Sequence, residues 1–260
     1  MTESLNISEF SVSVFKFLTD VFSFNLGYSK EEMNFHFFQG LSKFTDESED
    51  AEVSIYYIPS KQKSFYGNDV DLFMEEESGQ YRWYALKTNI MHFNGAYKDL
   101  KFNPKAKEQV WDRLLRHEQN FGSKSYYLFY SGKTRSLHEL PESVREDFLG
   151  KPTLPEVGLG IVETSEIKRI RENEIKPYGL FYFHHVFPEH MDSIRKLFGG
   201  KEFMPSTSKV YSLQEALPSA YKQLKRKHFD IAERLAHKKV DMGSTSGLAP
   251  IRIIVKRNLY

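Results

Sequence analysis

The sequence predicts an α/β protein in which helices flank a central mixed β-sheet. Segments rich in β-branched and aromatic residues alternate with amphipathic segments, in the order helix, strand, strand, strand, helix, strand. The 22 Phe and 15 Tyr among 260 residues favour a core that contains sheet, because aromatic side chains pack well on pleated surfaces.

The first elements are a helix and a strand. An amphipathic helix is predicted over 8–26, where apolar residues recur at helical spacing. Residues 33–38 are predicted to form a short strand or a buried turn, and the acidic segment 45–52 is predicted to be a loop. A strand over 53–58 follows, and Pro59 ends it because proline cannot donate to a sheet ladder.

A hairpin and a crossover complete the predicted core. Strands are predicted over 70–74 and 81–87, and Gly79 lies in the turn between them. A helix over 104–120 then leads to a buried strand over 125–130. This order predicts a meander followed by a crossover helix.

The remaining segments continue the same pattern. Short strands are predicted over 159–162 and 251–255, and a longer aromatic strand over 179–187. A charged helix is predicted over 165–174, and a long basic helix over 213–238.

The two parts of the chain differ in net charge, and no linker separates them. Because there is no internal repeat or low-complexity segment, residues 1–150 are interpreted as the α/β core and residues 151–260 as a continuation of the same domain, with a basic helix and a final strand. The first part holds 17 Lys/Arg against 23 Asp/Glu, and the second holds 19 against 12. The basic half favours an acidic partner such as nucleic acid, or else a charged helix surface in contact with solvent.

Composition excludes several classes of function. The chain has no Cys, which excludes disulfides, thiolate zinc sites and a cysteine nucleophile. There is no run of about 18 apolar residues, so no membrane span is expected. The first residues lack the basic-then-apolar order of a signal peptide, and a cytoplasmic location is the resulting expectation.

The predicted hairpin carries the clearest chemical pattern. If its turn is centred near Ser78, Asp69 lies opposite Lys87 and Asp71 lies opposite Ala85. Strand alternation then places these four residues on one face of the sheet. Two carboxylates can hold Mg²⁺, and a neighbouring lysine can orient or activate the attacking water.

The same residues carry a family resemblance. An Asp in Gly67-Asn68-Asp69-Val70-Asp71, a turn, and a lysine that ends Trp83 to Lys87 resemble the core motif of the PD-(D/E)XK nuclease superfamily, in particular a bacterial branch with Gly-Ala-Asp-Trp-Glu-like and Val-Gln-Ala-Lys-like elements. Four further features extend the match, which covers roughly residues 50–130: Tyr97, Leu100, Gln109 and the strand 126–130.

The resemblance implies a restriction-endonuclease-like core and a nucleic-acid-binding protein that hydrolyses phosphodiesters with Mg²⁺, of the kind used in bacterial defence or DNA processing. It implies that Asp69 and Asp71 hold the metal and that Lys87 positions the nucleophilic water. Gln109 would face the site from the crossover helix. The sequence departs from the motif at Ala85, where the superfamily has Glu, Asp or Gln.

Two alternatives remain beside the hydrolase. Ala85 favours an interaction module that has the same fold and no catalytic activity. The other alternative is an unrelated α/β protein in which Asp and Lys form an exposed cross-strand pair, worth only about 0.2–1 kcal/mol.

The basic segment 221–239 is a second candidate binding element. Its cationic face is predicted to contact phosphates, with the alternative that it is only a solvated helix face. The candidate phosphate contacts are Lys222, Lys225, Arg226, Lys227 and Arg234.

Overall fold

A computed structural model of the chain describes residues 7–23, 28–47, 51–58, 63–133, 154–198, 209–224, 245–246 and 248–257. The six α-helices in these ranges are α1 (Ile7–Ser23), α2 (Lys30–Glu47), α3 (Val110–Phe121), α4 (Thr164–Asn173), α5 (Arg195–Phe198) and α6 (Leu213–Ala216). Short 3₁₀ helices cover Leu154–Val157 and Phe183–His185. None of the described helices is long and apolar enough to cross a membrane.

The described strands number thirteen. They are β1 (Ala51–Tyr57), β2 (Lys63–Ser64), β3 (Val70–Glu77), β4 (Gln80–Ile90), β5 (Ala96–Tyr97), β6 (Lys124–Tyr130), β7 (Leu159–Glu163), β8 (Phe181–Tyr182), β9 (Asp192–Ser193), β10 (Val210–Ser212), β11 (Lys222–Gln223), β12 (Thr245–Ser246) and β13 (Ile251–Arg257).

One large mixed sheet organises the fold. Its order is β11-β1-β13-β3-β4-β6-β7-β9, and β10 pairs with β4 beside β6. The pairs β13–β3 and β4–β6 are parallel, and the other pairs of this sheet are antiparallel. Helix α3 makes the crossover between the parallel strands β4 and β6, as a parallel connection requires. The predicted α/β fold with a central mixed sheet flanked by helices is confirmed.

Helices cover both faces of this sheet. Residues of α1 and α2 share one apolar cluster with alternate residues of the central strands, including Leu72 and Leu86. Residues of α3 and α4 share a second cluster with the opposite face of β6 and β7, including Tyr127 and Phe129. Burial on both faces explains why β6 is continuously aromatic or apolar over 126–130.

The last strand lies in the middle of the sheet. Strand β13 separates β1 from β3, with Ile253 opposite Ile55 on one side and opposite Leu72 on the other. The predicted meander is therefore interrupted: β13 is buried, and β1 and β3 satisfy the backbone hydrogen bonds along its two edges.

Helix α2 replaces the strand or turn predicted over 33–38. Met33, Phe37 and Leu41 are buried at a spacing of four, so they line one side of a helix. Ser29 and Glu32 form a capping box in which Ser29 N donates to Glu32 Oε2 over 2.7 Å and Glu32 N donates to Ser29 Oγ over 3.1 Å.

Three further predictions are wrong in part. The crossover helix begins at Val110 rather than at Pro104, which lies in a turn. Over 179–187 only Phe181–Tyr182 is a strand.

The third prediction that is wrong in part is the long basic helix over 213–238. It ends at Ala216, and Pro218 follows because proline cannot continue a helical hydrogen-bond ladder. The chain then enters β11, and Leu224 N donates to Ile55 O over 2.8 Å. Residues 225–244 lie outside the described part of the chain.

Candidate functional site

The register of the β3–β4 hairpin is the predicted one. Asp71 lies opposite Ala85 and Val70 opposite Leu86. Asp69 precedes the strand, and its backbone N–H donates to Leu86 O over 2.8 Å. The turn has Gly79 at φ 76°, a conformation that favours glycine.

Asp69 lies at the centre of a cluster of cations and hydrogen-bond donors. Its carboxylate is 3.1 Å from Lys87 Nζ and 3.3 Å from Lys30 Nζ. The backbone N–H and the hydroxyl of Thr88 both donate to Asp69 Oδ2 over 3.0 Å. Strand pairing brings Lys87 and Thr88 to Asp69, and the first turn of α2 brings Lys30.

The charges in this cluster shift the pKa values of Asp69 and Lys87. Burial works to raise the pKa of Asp69, but Lys87, Lys30 and the Thr88 N–H outweigh it and hold that pKa at about 2. Burial lowers the pKa of Lys87, and the nearby Asp69 carboxylate opposes this decrease.

Asp71 belongs to a different group of residues. Its side chain is 0% exposed, accepts from Asn68 Nδ2 over 2.6 Å and is 3.2 Å from Arg252 Nε. The guanidinium carbon of Arg252 is in turn 5.0 Å from the ring centroid of Phe73 and 5.1 Å from that of Trp83. Both Asp71 oxygens are therefore engaged inside the protein.

That Asp69 and Asp71 hold one metal ion stays a prediction, and these contacts do not favour it. Asp71 is the second residue of β3, so strand alternation fixes the direction of its side chain. Asp69 lies in the bend before the strand, where this alternation does not apply. The two carboxylates consequently have no bonding partner in common among the contacts that the structure gives them. Ala85, opposite Asp71, is fully buried.

Gln109 stabilises the loop before α3 instead of facing Asp69. Its Oε1 accepts from Asn103 N over 3.0 Å, and its Nε2 donates to Asn103 O over 2.7 Å. The backbone N–H of Gln109 donates to Asp112 Oδ2 over 3.3 Å, which caps the helix.

Of the five predicted phosphate contacts, the structure describes only Lys222. It is exposed on β11, opposite Tyr57 of β1, and therefore lies on a strand and not on the predicted helix. The other four, Lys225, Arg226, Lys227 and Arg234, lie outside the described residues.

An open cleft of about 550 Å³ lies beside the Asp69 cluster, between the first residues of α2 and α3. Lys30, Lys87, His92 and Asp99 contribute polar groups to its walls, and Val110 contributes an apolar wall. Helix N-termini carry partial positive charge, which favours anions at this position.

Two exposed lysines add to the positive charge of the cleft. Burial lowers the pKa of His92, and Lys98 and Lys101 lower it further, while Asp99 opposes them. Lys30, Lys87 and Asp99 line the cleft itself, and Lys98 and Lys101 lie near enough to His92 of the same wall to act on it electrostatically.

The residues present do not fit a Mg²⁺ site. Mg²⁺ in proteins is bound by oxygen ligands, usually one or two carboxylates together with water and phosphate oxygens. Here two ammonium groups contact the Asp69 carboxylate, and Asp71 is paired with Arg252. Within the described ranges, no group of three or more His, Asp or Glu side chains is arranged to hold a metal.

Sequence reasoning identified Asp69 and Lys87 and missed Lys30 and Thr88. The Ser29–Glu32 capping box is the signal for a helix that begins at Lys30. Comparisons with protein-family models, with curated proteins and with solved structures give no match.

Proposed function

We propose that the protein binds the sugar–phosphate backbone of nucleic acid in the cleft between the N-termini of α2 and α3. The observation that carries the proposal is the pair Lys30 and Lys87 on the wall of this concave surface, with the exposed Lys98 and Lys101 acting electrostatically on His92 of the same wall. Backbone phosphates are bound by clustered lysines, and the binding releases condensed counterions.

A restriction-endonuclease-like core is part of the same proposal. Three features of the fold support it: the element order α2, β1, β3, β4, α3, β6, the antiparallel β3–β4 hairpin, and the parallel β4–β6 pair with its crossover helix. The 3.1 Å contact between Asp69, before β3, and Lys87, on β4, also supports it.

The proposed function is binding without metal-dependent cleavage. Lys30 and Arg252 each neutralise a carboxylate that a hydrolase would use for Mg²⁺, and Ala85 contributes no ligand. Hydrolysis is the second candidate, and the 3.1 Å contact between Asp69 and Lys87 is the observation that favours it.

Fluorescence anisotropy with labelled DNA and RNA oligonucleotides over a range of salt concentrations tests the proposal. We expect affinity to fall steeply with salt, and Lys98→Gln/Lys101→Gln to reduce the slope of log K against log salt by about two, because each lysine that contacts a phosphate contributes about one. Lys176→Gln, an exposed lysine in the turn after α4, is the matched control and should leave the slope unchanged.

A third variant, Lys30→Gln, examines the inner wall of the cleft and should weaken binding to all sequences equally. Thermal unfolding of each variant separates a loss of binding from a loss of fold. Binding that is insensitive to salt, or that weakens equally in the Lys176 control, would exclude the cleft as the nucleic-acid site.

A further inference from the structure

Two exposed aromatic side chains lie in chain segments next to the lysine-lined cleft. Phe65 is 46% exposed and Phe93 is 63% exposed, although large apolar side chains of this kind are usually buried. Phe93 directly follows His92, which lines the cleft. Phe65 lies in the turn before Asp69.

The structure places Phe65 close to the cleft. A Cβ on Gly67 would lie 3.0 Å from Val110 Cγ1, and Val110 lines the cleft. Phe65 is four positions before Asp69 in the chain, so their Cα atoms are at most about 14 Å apart. Gly67 has φ 88°, which allows the chain to turn there beside α3.

The Phe65 ring is held in position by its neighbours. Tyr66 packs edge-on against it with ring centroids 5.2 Å apart, and the guanidinium carbon of Arg116 is 5.2 Å from the Phe65 centroid. Arg113 Nη1 donates to the backbone carbonyl of Phe65 over 3.2 Å.

The support beneath Phe65 is itself well packed. Tyr66 contacts the rings of His117 and Phe121 at 4.9 and 5.5 Å, and its hydroxyl accepts from Asn120 Nδ2 over 3.2 Å. An exposed aromatic ring on a rigid base, next to arginine, is the arrangement on which nucleic-acid bases stack.

Phe93 lies in a tight turn. Gly95 N donates to His92 O over 2.8 Å, and His92 N donates to Ala96 O over 2.9 Å. This turn therefore fixes the backbone of Phe93 beside the cleft wall.

We propose that the cleft binds a single strand of nucleic acid, with phosphates directed towards Lys30 and Lys87 and unpaired bases stacked on Phe65 and Phe93. The inference rests on the proposed nucleic-acid binding and adds the class of substrate. Bases in a duplex are stacked on one another and are not available to exposed rings, whereas the bases of a single strand are.

Anisotropy measurements on the full chain with three DNA probes test the inference. The probes have the same length: a single strand, the corresponding duplex, and a strand that contains abasic sites and keeps its phosphates. We expect the single strand to bind most tightly and Phe65→Ala/Phe93→Ala to weaken its binding at least about tenfold. The same double variant should bind the duplex and the abasic strand as the wild type does.

Two further variants sharpen the test. Phe65→Trp/Phe93→Trp keeps the stacking surfaces and should retain tight binding of the single strand. Tyr178→Ala removes an 84% exposed aromatic that does not line the cleft and should have no effect.

The outcomes separate this inference from the proposed function. Salt-sensitive binding that depends on Lys98 and Lys101 but is equal for single strand and duplex, or unchanged in the Phe65/Phe93 variant, overturns the single-strand inference alone. Equal weakening on the abasic strand overturns it as well, because bases would then not be involved. If no probe binds, both proposals fail.

Discussion

Arg252 Nε lies 3.2 Å from a carboxylate oxygen of Asp71, and the two side chains are 2% and 0% exposed. The pair connects the last strand of the chain to the first strand of the hairpin, 181 residues apart. The Arg252 guanidinium also donates to Ala216 O, which ties α6 to the sheet. The residue that resembles a metal ligand in the sequence is therefore part of the internal structure of the sheet.

We expect Arg252→Leu to destabilise the protein by about 3–5 kcal/mol, because it leaves the Asp71 charge buried without its partner. Urea unfolding measures the change in free energy. Lys256→Leu, on the same strand, breaks an exposed pair with Glu52 and should cost no more than about 1 kcal/mol. The double variant Asp71→Asn/Arg252→Leu should recover part of the loss. Equal stability of Arg252→Leu and wild type would contradict the assigned role of the pair.

The hairpin could be predicted from the sequence because its determinants are local. Gly79 supplies the turn, and the alternation in 70–74 and 81–87 fixes which residues lie opposite one another. This is why the contact between Asp69 and Lys87 follows from spacing alone.

The partners of Asp71 could not be predicted in this way. The position of β13 between β1 and β3 depends on strand pairing between distant parts of the chain, and local alternation carries no information about it. Parallel pairing places Arg252 directly opposite Asp71. Similarly, Lys30 reaches Asp69 only because residues 30–47 are helical, whereas the aromatic run near Phe35 by itself predicts a strand or a turn.

Asp69 should make stability depend on acid pH. Its pKa is lowered from 3.8 to about 2 in the folded protein, so its contribution is present above pH 3.8 and is lost as the pH falls towards 2. We expect Asp69 to contribute about 1–2 kcal/mol to the free energy of unfolding, because burial of the Lys87 ammonium group offsets part of the gain. Urea unfolding between pH 5 and pH 2 measures this loss, which should be smaller in Asp69→Asn. An unchanged pH dependence in that variant would show that Asp69 is not the responsible group.

His117 should cause a separate loss of stability, at higher pH than the loss due to Asp69. Its side chain is buried with Nδ1 2.7 Å from Ser123 Oγ, and burial lowers its pKa from 6.5 to about 4. Since the unfolded chain takes up the proton first, stability is complete above pH 6.5 and falls by up to about 3 kcal/mol as the pH decreases to 4. His117→Gln should be less stable at pH 7 but should show a flatter profile between pH 7 and pH 4. A decrease of the same size in both proteins would assign this transition to other groups.

Incubation with Mg²⁺ or Mn²⁺ distinguishes binding from hydrolysis. We expect oligonucleotides to remain intact with the wild-type protein, because Lys30 and Lys87 occupy the Asp69 carboxylate and Asp71 is held by Arg252. Gel electrophoresis of labelled DNA and RNA measures cleavage, and Lys87→Ala is the control. Cleavage by the wild type that disappears in Lys87→Ala would establish the hydrolase, and would mean that Asp69 exchanges its ammonium partners for a metal ion when nucleic acid is bound. Equal cleavage by both proteins would indicate a contaminating nuclease.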